Sequence, residues 1–450
     1  MNKAPEPASG LRPPWSRSRR AVPRRLVQPL QSYLEAESSS AFMLLGAAVI
    51  GLAWANSPWQ QSYYDLWNTE ITLRLGSWTL SEDLRHWVND GLMSLFFLVV
   101  GLEIKRELLT GELRDPRAAT IPVVAALGGM VVPALLYLSL NVGGDGSHGW
   151  GIPMATDIAF ALGVLTIAAR SAPASLKPFL LTLAIVDDIG AILVIALFYS
   201  EGVAVPQLLL ALGFAALIVA LQRFDVRSTA VYVALAVSLW LAVYESGVHP
   251  TIAGVVLGLL TPAGAFQRPR AVSDEAVRTA ESTVDEPETP DADAPQWLRL
   301  ARLSREAVSP LARAEDALHP WTSYVIVPMF ALANAGVTFT AEGARAAATS
   351  PVTLGILLGL VVGKTVGITL ASFAAVRSGL GRLPPGAGWR HLIGVSAIAG
   401  IGFTVSLFIT ELAFSDPRLT DEAKIGVYLA SLVAGALGFA ILRTRSREGG

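Results

Sequence analysis

The chain has 450 residues, 52% of them hydrophobic and only 16% charged, and its formal net charge is -2. Soluble domains carry about 25% charged residues, so this composition excludes an ordinary soluble globule, and the near-neutral balance gives no general pull toward nucleic acid. There is no cysteine, which excludes disulfides, thiolate metal sites and a cysteine nucleophile.

Residues 1–38, with the run "RPPWSRSRRAVPRR", read as a basic, disordered cytoplasmic tail. The apolar run that follows continues straight into a membrane pattern, which a cleaved targeting peptide would not do. A spanning helix needs about 20 largely apolar residues. Such windows recur near 40–57, 86–104, 118–140, 150–169, 174–199, 205–222, 228–245, 248–262, 320–338, 352–376, 387–412 and 422–442. They predict an all-α polytopic membrane protein of about twelve transmembrane helices, eight within residues 39–262 and four within 313–442, followed by a cytoplasmic tail over 443–450. Between the first two windows, "TEITLRLGSWTL" (Thr69–Leu80) alternates apolar and polar residues around Gly76-Ser77, the pattern of a β-hairpin, here on the outer face. Residues 263–312, including "ESTVDEPETPDADAPQ", predict a mobile cytoplasmic linker that acts only as a spacer.

Orientation follows the Lys/Arg bias of short loops. With the basic tail inside, the inner loops hold Lys105, Arg106, Arg114 and Arg117, then Arg170 and Lys177, Arg223 and Arg227, Arg377, Arg382 and Arg390, and finally Arg443, Arg445 and Arg447, with Arg345, Arg418 and Lys424 as sparse exceptions. The outer loops "NVGGDGSHGW" and "YSEGVAVPQ" hold no Lys or Arg. An even number of crossings with both termini inside satisfies the pattern.

Four ionisable residues interrupt the apolar windows: Asp157 in "GIPMATDIAFALG", Asp187 and Asp188 in "LAIVDDIGAILVIALF", and Lys364 in "LLGLVVGKTVGITLASF". Each costs roughly 2.5–3.5 kcal/mol at mid-bilayer, so such residues mark functional sites. A purely structural set of ion pairs would balance its charges, whereas here three acids face one base. Neighbours on a helix point ~100° apart, so one of Asp187 and Asp188 can meet Lys364 while the other faces a hydrated cavity. Adjacent carboxylates also resist ionising together, which suits an exchange of protons for a small hard cation. Oxygen ligands favour Na⁺ and Li⁺.

Two windows carry helix-breaking residues. The fourth holds Gly151, Pro153 and then Thr156-Asp157, both good N-cap residues. The eleventh holds Gly400 and Gly402 in "SAIAGIGFTVSLF". Paired broken spans in the two halves point to a transporter site between inverted repeats, formed by windows three to five and ten to twelve. An intramembrane aspartyl protease would need Tyr-Asp and Gly-x-Gly-Asp contexts, and neither occurs. A symporter of organic anions would want a cationic centre rather than an acidic one. Nothing reads as a channel filter.

The stretches "ATDIAFALGVL", "LAIVDDIGAI", "VVGKTVGI" and "GIGFTVSLFI" closely resemble motifs of the bacterial NhaA-type Na⁺/H⁺ antiporters. So do "FFLVVGLEIKREL" (Phe96–Leu108), "SGVHPTIAGVVLGLLTP" (Ser246–Pro262) and "LHPWTSYVIVPMFALANAGV" (Leu318–Val337), so that the resemblance covers roughly residues 35–442. The family is itself one of the examples behind the inverted-repeat rule. The resemblance implies electrogenic, pH-regulated exchange of cytoplasmic Na⁺ or Li⁺ for external H⁺ in the bacterial inner membrane, with no cofactor. It assigns Asp188 as the main cation carboxylate, Asp187 as its neighbour paired to Lys364, and Thr156 as a further ligand of the transported Na⁺. Thr156, Asp157, Lys364, Gly400 and Gly402 fall at or beside the crossing of two broken helices, where Asp157 and Lys364 balance opposed half-helix dipoles. It implies a homodimer formed through the outer hairpin. Residues implied in pH regulation are Glu103, Lys105, Glu107, His249, Glu315 and His319. The chain departs from the family pattern at Asp316, where a histidine is common; a carboxylate there does not titrate in the histidine range.

Overall fold

A computed structural model describes residues 39–76, 78–168, 172–200, 202–282 and 293–443. The predicted tails over 1–38 and 444–450 lie outside the described residues, as does Ser77 at the hairpin tip. The first helix, α1 (Ser39–Ala55), is followed by a short helix that the sequence reading did not expect, α2 (Gln60–Trp67), turned by 116°. The Tyr63 hydroxyl donates toward the Leu332 and Ala333 carbonyls at 2.9 and 2.8 Å and accepts from the Gly336 amide. These bonds hold α2 against the far half of the chain.

The hairpin is present, with β1 (Glu70–Leu75) antiparallel to β2 (Trp78–Asp83) and Glu70 opposite Asp83. It runs three residues beyond the predicted Leu80. The polar "SED" reads as loop in isolation, but Ser81 pairs with Thr72 through a 2.6 Å hydroxyl contact. Asp83 then caps the next helix, accepting from the His86 amide at 2.8 Å.

Long helices follow: α3 (Leu84–Thr110), α4 (Pro116–Asn141), then a 3₁₀ segment Asp145–Met154 leading to α5 (Ile158–Ala168), and α6 (Leu176–Phe198). Next come α7 (Val205–Arg223), α8 (Thr229–Glu245) and α9 (Thr251–Leu260). Two helices occupy the predicted linker, α10 (Pro269–Ser282) and α11 (Ala294–Glu306). The remaining elements are α12 (Pro310–Trp321), a π-turn Thr322–Ile326, α13 (Val327–Asn334), α14 (Ala341–Thr349), α15 (Pro351–Arg377), α16 (Trp389–Ile398), α17 (Phe403–Ala413) and α18 (Pro417–Arg443).

Among the described residues, six helices are long and apolar enough to cross a membrane, and nine spans result if each bent pair counts as one. All twelve expected windows overlap helix, but not all as full spans. The ten residues of α9 rise only about 15 Å, half of the ~30 Å hydrocarbon core. Pro250 before it and Thr261-Pro262 after it limit its length. The ninth window is a composite of α12, the π-turn and α13, and starts ten residues earlier than predicted.

The segment read as a mobile spacer is ordered where it is described. Pro295 lies in the first turn of α11, a position where its missing N–H costs nothing. Glu306 anchors the segment: its carbonyl accepts from the Gln267 amide at 3.0 Å, and its carboxylate meets Arg227 at 2.8 Å. Charge-rich composition argued for disorder, but the Glu306 anchor and the Arg299–Glu275 pair between the two helices offset that tendency.

Candidate functional site

Both windows flagged for helix breaks are broken, by 48° between the 3₁₀ segment and α5 and by 46° between α16 and α17. The two breaks meet. The Asp157 amide donates to the Ile401 carbonyl at 2.6 Å. One Asp157 carboxylate oxygen caps its own restarting helix, accepting from the Phe160 amide at 3.1 Å. The other accepts from the Thr404 amide at 3.1 Å and the Thr404 hydroxyl at 2.7 Å. Asp157 therefore offsets the positive ends of α5 and α17 together. Gly402 permits this approach, since a Cβ there would lie 3.0 Å from the Ala155 carbonyl oxygen, while Gly400 packs the break against α18, where a Cβ would lie 3.1 Å from the Ala434 Cβ. Thus these glycines serve the break and the close packing at once.

Lys364 reaches the crossing from α15. A π-turn, Gly359–Gly363, immediately precedes it, and such turns re-aim side chains within helices. A Cβ on Gly363 would sit 2.8 Å from the Pro133 Cα of α4, so α15 lies almost backbone to backbone with α4. The Lys364 ammonium, fully buried, donates to the Thr156 hydroxyl at 3.0 Å and forms an ion pair with Asp187. Thr156 Oγ1 lies 2.7 Å from Asp187 and 2.8 Å from the Ala399 carbonyl. Its single proton can serve only one of these at a time. The Lys364 charge is thereby linked through Thr156 to the C-terminal end of α16, where a cation is favourable. The second Asp187 carboxylate oxygen, Oδ1, is buried without a hydrogen-bond partner among the described residues.

Asp188, next on α6, faces elsewhere. It lines a cavity of about 390 Å³ together with Glu103, Thr156, Asp157, Lys177 and His319. Lys177 lies eleven residues earlier on the same helix, about 16 Å away along its axis, and both it and His319 are exposed. The cavity thus runs from the helix crossing to the end of the protein that carries the basic loops. No hydrogen-bond donor reaches the Asp188 carboxylate among the described residues. Beyond the crossing, α17 carries the fully buried Phe408, which packs on Phe97 at 5.4 Å and Phe330 at 6.1 Å between ring centres.

The six residues implied in pH regulation do not form one cluster. Glu103 and His319 line the Asp188 cavity. Lys105 donates to the Leu259 carbonyl at 2.7 Å, and Glu315 pairs with Arg106, so both tie α3 to its neighbours. Glu107 is buried and accepts from the Glu112 amide at 2.8 Å, closing the turn after α3. His249 lies away from the cavity, 2.9 Å from Thr251 Oγ1 and stacked edge-on against Phe408. Asp316 is exposed. Sequence reading passed over Thr404 and took Lys177 only as a basic residue of an inner loop. A Thr two residues after Gly402, at a helix restart, was the available signal for Thr404.

The family model for "Na+/H+ antiporter 1" matches residues 31–442. A curated relative from Sorangium cellulosum, "Na(+)/H(+) antiporter NhaA 2", is 46% identical over 95% of this chain and 92% of its own length. Another from Janthinobacterium sp. (strain Marseille), "Na(+)/H(+) antiporter NhaA", is 45% identical over 92% of this chain and 93% of its own. The solved sodium proton antiporter MjNhaP1 from Methanocaldococcus jannaschii aligns with a TM-score of 0.47 at 12% identity, covering 92% of this chain and 96% of that one, too distant to inform the geometry. With its several apolar helices, this is a multi-pass membrane protein and a transporter rather than an enzyme. It belongs to the Na⁺/H⁺ antiporter 1 family.

Proposed function

We propose that the protein exchanges cytoplasmic Na⁺, or Li⁺, for external H⁺, with Asp187 and Asp188 as the carboxylates for which cation and proton compete. Its relatives are named Na⁺/H⁺ antiporters, and the acidic centre suits that exchange. The observation that carries the site assignment is the unequal treatment of two neighbouring carboxylates. Asp187 is committed to Lys364 and Thr156, while Asp188 fronts an open cavity with its oxygens uncommitted.

A cation arriving along the cavity meets Asp188 first. Thr156 and, once Lys364 withdraws, Asp187 complete an oxygen shell suited to a small hard ion. Protonation of the carboxylates releases the cation. Among the described residues the cavity extends from the crossing toward exposed Lys177 and His319 at the basic end, and we read this arrangement as an inward-open state. Alternating access then moves the crossing relative to Phe408 and its neighbours, in a scaffold of twelve crossings built as inverted repeats. More protons than Na⁺ per cycle make exchange electrogenic, with the membrane potential contributing ~2.3 kcal/mol per charge per 100 mV. We place the chain in the bacterial inner membrane with both termini cytoplasmic, and its hairpin in a homodimer contact. We attribute the pH response chiefly to protons competing with Na⁺ at Asp187 and Asp188; Glu103 and His319 at the cavity, and Lys105, Glu107, Glu315 and His249 through helix packing, adjust the apparent affinity without setting the maximal rate. No cofactor is required, since ion gradients supply the work.

The test uses purified protein in vesicles loaded with a pH dye. Adding Na⁺ or Li⁺ should drive proton movement, and an imposed membrane potential should change its rate. Absence of any Na⁺-dependent pH change across the alkaline range would overturn the reading.

A further inference from the structure

The linker helix α11 carries a surface that neither the ion site nor its packing on α10 explains. None of its residues is buried. Leu298 is 63% exposed and Trp297 43% exposed, and the same helix bears Arg299, Arg302 and Arg305 against the single acid Glu306. The charges are not equivalent. Arg299 pairs with Glu275 of α10 at 3.3 Å. Glu306 is taken by Arg227 and Gln267, at 2.8 and 3.1 Å. The hydrogen bond from Gln267, then Arg227, hold the Glu306 carboxyl below its ordinary pKa, so this anchor stays charged at neutral pH. Arg302 and Arg305 have no carboxylate within ion-pair distance among the described residues.

Depth follows from the anchor. Arg227 lies between the end of α7 and the start of α8, and Leu311, just after α11, donates to the Pro262 carbonyl at 3.0 Å, just after α9. Glu306 therefore pins α11 at the level where three apolar helices end. Leu298, Arg302 and Arg305 are spaced i, i+4, i+7 and share one face. Arg305 lines a cavity together with Tyr232 and Val233 at the start of α8, and Val233 is 56% exposed. The end of α11 thus lies beside an exposed apolar stretch at the start of α8.

An exposed Trp and Leu beside unpaired arginines, at the level of the helix ends, is the pattern of a helix lying in a membrane interface. We propose that α11 is an interfacial anchor that rests its Leu298–Arg302–Arg305 face on the anionic phospholipid headgroups of the bilayer in which the protein sits. The apolar side chains enter the boundary between headgroups and chains. The arginines snorkel to phosphate oxygens, attracted by the negative surface potential. This requires only that the chain spans a membrane, and stands whether or not Asp188 is the cation carboxylate.

The chain has no cysteine, so Ala301→Cys gives a unique labelling point on the exposed surface beside this face. The full-length protein, labelled there with an environment-sensitive dye, is placed in vesicles of phosphatidylcholine with or without phosphatidylglycerol. A nitroxide carried at shallow depth on the lipid should quench the dye at least about twofold more in the phosphatidylglycerol vesicles, falling to the phosphatidylcholine level in Arg302→Gln/Arg305→Gln. Iodide in the aqueous phase should show the opposite order. Equal quenching in both lipids, quenching unchanged by the double substitution, or full access of iodide in every case would overturn the proposal. The last result would assign the face to the aqueous side.

Discussion

Asp187 and Asp188 are adjacent on one helix, yet they occupy opposite surroundings. On one side α6 meets Lys364, Thr156 and the two helix breaks, with almost every polar atom engaged. On the other it meets a cavity and a carboxylate with no donor. A 3.6-residue turn is enough to separate a structural partner from an ion-accessible one. The lesson is that buried charge has two costs: the closed side lowers its cost by pairing, and the open side by access to water.

The closed side should be the more fragile. Lys364→Ala strands Asp187, and breaking a buried pair costs about 3–5 kcal/mol, so thermal unfolding should move to clearly lower temperature. Removing both charges with Lys364→Met/Asp187→Leu should restore most of that stability while exchange stays lost. A single variant as stable as wild type would remove Lys364 from the closed side.

The open side should behave in reverse. Asp188→Asn deletes a charge that holds no partner, so stability should be unchanged or slightly higher. Exchange should fall at least about 100-fold, equivalent to ~2.7 kcal/mol. Calorimetry and vesicle transport on the same preparation check the two halves of this statement, and a variant that unfolds readily would contradict it.

Smaller effects sharpen the picture. Thr404→Val removes one hydroxyl from a charged acceptor, about 1.5 kcal/mol, and should lower both stability and rate, because the carboxylate it serves joins the two breaks. Smallest is the linker. With the Glu306 pKa lowered, its contribution is fully present above the ordinary glutamate value, ~4.3, and is lost as pH falls through the lowered folded value. Amide protection of residues 294–306, taken relative to the intrinsic exchange rate at each pH, should thus be high at neutral pH and lower in acid. Glu306→Gln should show the lower protection already at neutral pH.

The legible parts of the site were those written in local chemistry. Pro153 and Thr156-Asp157 signal a stop and restart within one span, and Gly400 and Gly402 do so in another. Asp187, Asp188 and Lys364 stand out because charge is rare in an apolar window. What depends on helix rotation was not legible. Glu103 and Glu107 are one turn apart, yet one lines the cavity and the other closes a backbone turn. The π-turn before Lys364 leaves no clear mark beyond Gly359 and Gly363, since glycines also mark packing. The linker misled for a related reason: its charges suggested disorder, while the pairing of Glu306 with Arg227 depends on residues 79 positions apart.

The central claim is that Na⁺ and protons compete for the Asp187/Asp188 pair. The most direct measurement is exchange rate against Na⁺ concentration at several pH values, in wild type and in His319→Ala. Competition predicts an unchanged maximal rate and an apparent Na⁺ affinity that weakens by up to about tenfold per pH unit per competing proton as pH falls, ~1.36 kcal/mol each. A pH effect that persists at saturating Na⁺ and disappears in His319→Ala would contradict the account.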